Sequence, residues 1–174
     1  MSKVSFLGAA AFLPLLLLAL PASAQSTPDG VQLKPLLDAR LRYETVDQGT
    51  LDADALTGRM RAGLEATAGK LSLLAEGEGT LALVDNYNAF PFLLRNESQR
   101  RPQYAVVPDP QNLELNRLQL QYTDNARTLT VGRQRINLDD QRFVGSVGWR
   151  QNEQTFDAVR AEGKFGPVNA DLTY

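Results

Sequence analysis

The sequence contains no cysteine and no histidine. Disulfide staples, thiolate chemistry, imidazole acid–base catalysis and the common zinc sites are excluded with them. Neither sign of charge dominates: 18 Lys and Arg stand against 20 Asp and Glu, for a formal net charge of −2. A basic tail for nucleic acid or other polyanions is therefore absent, as is an acidic disordered one. Long apolar runs are also missing beyond the N-terminus, so no later segment predicts a membrane-crossing helix. Aromatics are 7% of the chain and hydrophobic residues 43%, many of them in that N-terminal run. What remains is polar for a conventional buried core.

The N-terminal run carries an address. Lys3 opens a short positive region, residues 4–20 are almost unbroken apolar sequence, and Ala22, Ser23 and Ala24 supply the small residues of a cleavage site. This pattern predicts a signal peptide over residues 1–24, removed on export, rather than an uncleaved anchor. Pro14 and the shortness of the run argue against the anchor. Residues 25–34, with Pro28, Asp29 and Gly30, read as a lead-in. About 150 residues are left, enough for one domain.

From there the sequence alternates with period two. Leu37, Ala39, Leu41 and Tyr43 share one face, and Asp38, Arg40, Arg42 and Glu44 the other. A second run sets Leu56, Met60, Ala62 and Leu64 against Thr57, Arg59, Arg61 and Glu65, and a third sets Leu71, Leu73 and Leu81 against Glu76, Glu78 and Thr80. With Gly69-Lys70 as the turn, Ala68 faces Leu71 and Arg61 lies across from Glu78. Alternation resumes around Leu118, Leu120 and Tyr122, around Leu129 and Val131, around Val159 and Ala161, and around Val168 and Leu172. Two stretches lack periodicity: residues 84–112, with four prolines and a basic middle at 95–101, and residues 137–152.

Seven strands of roughly ten residues, joined alternately by short turns and long polar loops, predict an all-β, antiparallel transmembrane β-barrel of the outer-membrane type over residues 35–174. A secreted sandwich is the competing architecture. Its core would be poorly filled by apolar faces so rich in Ala and Gly, which are harmless against fluid lipid chains. Tyr43, Tyr122 and Phe165 also tend toward strand ends, where an interfacial girdle belongs. An odd, open set of strands leaves unpaired edges, so the reading is an incomplete N-terminal portion of a larger barrel, or an eighth strand hidden in 84–112.

The charged faces carry the candidate chemistry. Asp38, Arg40, Arg42, Glu44, Arg59, Arg61, Glu65, Glu76, Glu78, Arg117, Arg160, Glu162, Lys164 and Asp171 would border the lumen, either selecting anions or bracing a mutually paired wall. Pairing Arg42 with Arg59 would make four guanidiniums converge; a register shifted by two would set Glu44 opposite Arg59. Arg133 and Arg135 share the parity of Leu129 and Val131. Regular strand geometry would send both into lipid unless Gly132 forms a bulge or the strand has already risen above the bilayer. Asp139-Asp140 reads as a solvated turn, not a calcium site.

Gly132-Arg133-Gln134, Asp139-Asp140-Gln141-Arg142-Phe143-Val144-Gly145, Trp149-Arg150-Gln151 and Thr155-Phe156-Asp157 together resemble the alginate-export family of Gram-negative outer-membrane β-barrel proteins. The resemblance is densest over residues 113–160. It implies a larger monomeric barrel that passes an anionic polysaccharide or smaller anions through an arginine-lined constriction, with Arg133, Arg142 and Arg150 as candidate pore or loop cations. The expectation is thus a passive channel in the outer membrane, with Arg40, Arg42, Arg59, Arg61, Arg117, Arg133, Arg135, Arg142, Arg150 and Arg160 along its path. Its expected partners are outer-membrane lipid, an anionic solute or polysaccharide, and periplasmic export machinery, with no cofactor and no nucleic acid. A structural or adhesive barrel binding through its outer loops is the alternative. An enzyme would need a nucleophile without histidine, and no Ser–Lys arrangement stands out.

Overall fold

The computed structural model describes residues 13–15, 25–26, 30–89 and 97–174. Seven long strands form one open antiparallel sheet in chain order: β1 (Gln32–Asp47), β2 (Asp52–Ala68), β3 (Leu71–Asn86), β4 (Asn112–Asp124), β5 (Arg127–Gln134), β6 (Phe156–Phe165) and β7 (Val168–Thr173). This is the all-β architecture the alternation predicts, consistent with an incomplete outer-membrane barrel. Two short segments, Leu13–Leu15 and Gln25–Ser26, pair antiparallel with the outer edge of β1. The rest of the expected signal segment lies outside the described residues.

Side-chain parity divides the sheet into an apolar and a charged face. Met60, Leu64, Leu71, Leu73, Leu81, Leu113, Leu118, Leu120, Leu129, Val131 and Leu172 are all exposed on the apolar face. Such a surface is far larger than a water-soluble monomer carries, and it suits hydrocarbon. Across the sheet, Arg42, Arg59, Arg61, Glu76 and Glu78 are buried. Burial is thus the inverse of the usual pattern, with ionised residues inside and leucines outside.

The second hairpin has the expected register. Ala68 pairs with Leu71 and Arg61 with Glu78 around Gly69, whose φ of +59° is one that a side chain disfavours. The first hairpin does not. Arg40 lies opposite Arg59, Asp38 opposite Arg61 and Glu44 opposite Ala55, a register two residues away from the first expected alternative and four from the second. The turn sets it. Asp47 pairs with Asp52, and the intervening residues close with Gln48 N–H on Leu51 O at 2.9 Å and Gly49 N–H on the Asp47 carboxylate at 3.0 Å.

Strand length departs from the expected ten or so residues: β1, β2 and β3 run to 16, 17 and 16 residues. In β2 and β3 the extra residues lie at the long-loop end, where the charged face becomes apolar, whereas β1 is lengthened mainly at its start. Ala53, Ala55, Tyr87, Ala89, Ala105 and Val107 form a buried cluster there, flanked by Val46, Leu51 and Ala82. Residues 87–89 and 97–111 fold back onto this patch. They contain a single turn of 3-10 helix, Glu97–Gln99, and one isolated bridge between Asn88 and Val106, but no further strand among the described residues. The expected loop at 84–112 therefore begins only after Asn86.

Candidate functional site

Both long connections lie against the charged face, and their side chains complete it. Asp109 is the central joint of the first. It is buried, it accepts from Arg42 of β1 at 2.6 Å, and its other oxygen accepts the backbone N–H of Gln151 at 3.1 Å. Pro108 and Pro110 bracket Asp109, which restricts the backbone on both sides. Tyr87 donates its hydroxyl to the Asp109 carbonyl at 2.8 Å, and Arg42 also pairs with Glu44.

The second connection, residues 135–155, is held by hydrogen bonds. Arg40 donates to the carbonyls of Gly148 at 3.1 Å, Trp149 at 2.7 Å and Arg150 at 3.3 Å. Gln151, wholly buried, donates to the carbonyl and hydroxyl of Thr57, both at 2.8 Å. Arg150 lies 3.4 Å from Glu44 and 3.9 Å from Asp109. Burial lowers its pKa, and the charges of Asp109 and Glu44 pull it back up.

A second ionic centre lies further along β2, β3 and β4. Glu76 accepts both forks of Arg117 at 2.8 Å and meets Arg135 at 3.3 Å. Glu153, from the second loop, pairs with Arg61 at 3.2 Å and with Arg135. Asn116 donates to Glu76 at 2.9 Å and to Glu153 at 2.7 Å. A β-bulge makes this possible: the register of β3 and β4 slips at Glu76/Gly77, so adjacent residues Asn116 and Arg117 both reach Glu76. A polar cavity of about 270 Å³ opens beside the centre, lined in part by Lys34, Asp38, Arg61, Arg117 and Arg135.

The sequence candidates separate into five groups. Arg40, Arg42, Arg59 and Arg61 do share one region of the charged face. They do not form a bare cationic patch, because Asp38, Glu44, Glu78, Asp109 and Glu153 are interleaved with them. Three of their buried nitrogens, Arg59 Nε, Arg59 Nη1 and Arg61 Nη2, reach no protein acceptor among the described residues. Arg117, Arg135 and Arg150 join the network described above, whereas Arg160 stands apart on β6 with Asp171 at 2.6 Å and Glu162 at 2.9 Å. Arg133 stays on the apolar face in a two-pronged pair with Asp157, both bonds 2.8 Å. Arg142 lies in the exposed part of the second loop, 5.5 Å from the centre of the Phe143 ring.

Arg133 and Arg135 part company for a simple reason. The register through Gly132 is unbroken, so Arg133 keeps the parity of Val131, but β5 ends at Gln134 and Arg135 is free to turn inward. Gly132 itself has φ +115°, and a Cβ there would lie 2.3 Å from the Leu118 carbonyl. Sequence reasoning missed Asp109, Gln151 and Glu153 because none sits in an alternating run, and Asn116 because the bulge breaks the alternation between Leu115 and Leu118. The two prolines around Asp109 were the one local signal of a fixed acidic residue.

A family model described as alginate export matches residues 75–174. No curated protein and no solved structure matches the chain.

Proposed function

The chain belongs to the alginate-export family, and on that premise we propose that it builds an outer-membrane channel passing anionic solutes or an anionic polysaccharide such as alginate along its charged face. The family is one of transport rather than catalysis. The observation that carries the reading is the reversal of burial across one sheet, with exposed leucines on one side and buried arginines on the other. In a bilayer the apolar face meets lipid, and the charged face borders water.

Arginine suits this task. Its guanidinium stays ionised, presents several donors and gives up its hydration more readily than an ammonium does. The carboxylates interleaved with it keep the wall from becoming a trap. Conduction needs a site weak enough to leave as well as attractive enough to enter. The buried, unpartnered nitrogens of Arg59 and Arg61 add positive potential behind the face rather than an open contact. The two loops seated across the face narrow the route, with the half-buried Arg150 at its edge. Export by a cleaved signal, contact with periplasmic machinery and the absence of a covalent step belong to this same proposal. The adhesive alternative has less support, since Val107, Asp109 and Gln151 of the two loops are turned inward.

Reconstitution of the full-length protein in planar bilayers tests the reading. A salt gradient should give a reversal potential on the anion-selective side, and Arg59→Gln with Arg61→Gln should move it toward zero. Discrete conductance with an unchanged reversal potential in the double variant would remove these arginines from the pathway.

A further inference from the structure

The chain has one tryptophan, Trp149, and it is 57% exposed. Exposed indoles are uncommon enough to ask what holds this one in place. Val147, two residues earlier, has φ +52°, a conformation that is costly for a β-branched residue and persists only where the surroundings enforce it. The enforcement is visible. Arg40 grips the next three carbonyls, from Gly148 to Arg150, and Arg150 N–H closes a turn on Val147 O at 2.9 Å. Backbone strain and one arginine are thus spent on presenting a ring that is then left more than half open.

The ring is also electrically prepared. The Arg150 guanidinium lies over it, 4.2 Å from its centre, and that of Arg42 lies 6.0 Å away. Arg150 reaches its two carboxylates only through Nη1, at 3.4 and 3.9 Å, which leaves its other nitrogens for a ligand. A more than half-exposed indole beside unspent guanidinium donors matches one chemical class well. A hexuronate ring offers apolar axial C–H bonds on one face and a carboxylate on its rim. Small inorganic anions have no use for the indole.

We propose that Trp149, with Arg150 beside it, is a sugar-stacking subsite on the charged face that receives one uronate ring of a polysaccharide. The indole packs against the C–H face, and Arg150 takes the carboxylate. This rests on the reading of the face as a route for anionic polysaccharide. Trp149 sets the preference for sugar over simple anions.

The test uses the full-length protein in planar bilayers, with a short oligouronate and its neutral, carboxyl-reduced counterpart as current blockers. Wild-type channels should be blocked by both, more tightly by the oligouronate. Trp149→Ala should weaken both blockers about tenfold, Trp149→Phe should hold each within about threefold of wild type, and Arg150→Gln should weaken the oligouronate alone. Trp149 fluorescence, with any other tryptophan of the full-length protein replaced by phenylalanine, should change as oligouronate is added. Oligouronate block unaltered in Trp149→Ala overturns the subsite and leaves the channel reading intact. Anion-selective conductance with no oligouronate block in the wild type overturns the subsite and the polysaccharide part of the proposed function together, while an anion channel stands.

Discussion

The two long loops cross the same charged face but are fastened by a different balance of chemistry. Residues 87–89 and 97–111 contribute Tyr87, Ala89, Ala105 and Val107 to a dry patch with Ala53 and Ala55, with Asp109 on Arg42 and Arg101 on Asp85 as ionic contacts. Residues 135–155 sit on ions and dipoles: Arg40 on three carbonyls, Gln151 on Thr57, and Glu153 between Arg61 and Arg135. A loop held mainly by apolar contact, with its main ion pair buried, should respond little to salt or solute. One held by arginines can be loosened by anything that competes for them, including an anionic substrate. The difference assigns the first loop to architecture and the second to the passage.

Asp109 joins the two regions and is the place to break the comparison altogether. Asp109→Ala takes a carboxylate from the buried Arg42, which keeps Glu44, and removes the anchor of Gln151, so both loops should detach at a cost of about 3–5 kcal/mol. Tryptic cleavage after Arg100 and after Arg150 should both accelerate. Glu153→Gln comes next. It leaves Arg61 and Arg135 without their shared carboxylate and should release only the second loop, at about 2–4 kcal/mol, with new cleavage after Arg150 but not after Arg100. Val107→Ala sharpens the contrast from the other side. Loss of two methyl groups from a fully buried position should cost about 1–2 kcal/mol, free only the first loop, and show no dependence on salt.

The smallest effect is one of pH. Burial, with Asp109 and Asp85 nearby, pushes the Tyr87 phenol up to about 12. The folded loop therefore holds its proton over a range where the unfolded chain has lost it. Seating is undiminished below about pH 10 and weakens as pH rises from there to about 12. Cleavage after Arg100 should increase over that window, and Tyr87→Phe should abolish the pH dependence while costing about 1 kcal/mol for the lost hydrogen bond.

These contrasts also mark what the sequence could and could not reveal. Strand parity was legible from alternation alone, because a pleated backbone sends neighbours to opposite faces whatever they pack against. Arg61 opposite Glu78 followed from a two-residue turn that leaves the register no freedom. The register of β1 on β2 did not follow, since the chemistry of residues 48–51 tolerates several loop lengths and the flanking Asp47 and Asp52 look like loop residues. Arg133 and Arg135 could not be separated because strand ends depend on tertiary contacts. Above all, the inward course of the loops was invisible. Asp109, Gln151 and Glu153 act through positions fixed by distant strands, and aperiodic sequence carries no record of which wall it will meet.

The central claim is that Leu118, Leu120, Leu129 and Val131 look at lipid while their immediate neighbours look at water. These 174 residues hold no cysteine, so with any cysteine elsewhere in the full-length protein replaced by serine, single cysteines can be placed cleanly at successive positions of β4 and β5. Each would carry a fluorophore quenched by brominated acyl chains. Quenching is expected at 118, 120, 129 and 131 and none at 119, 121 and 130, a strict period of two; uniform quenching, or none at the leucine positions, would mean that this face does not meet lipid.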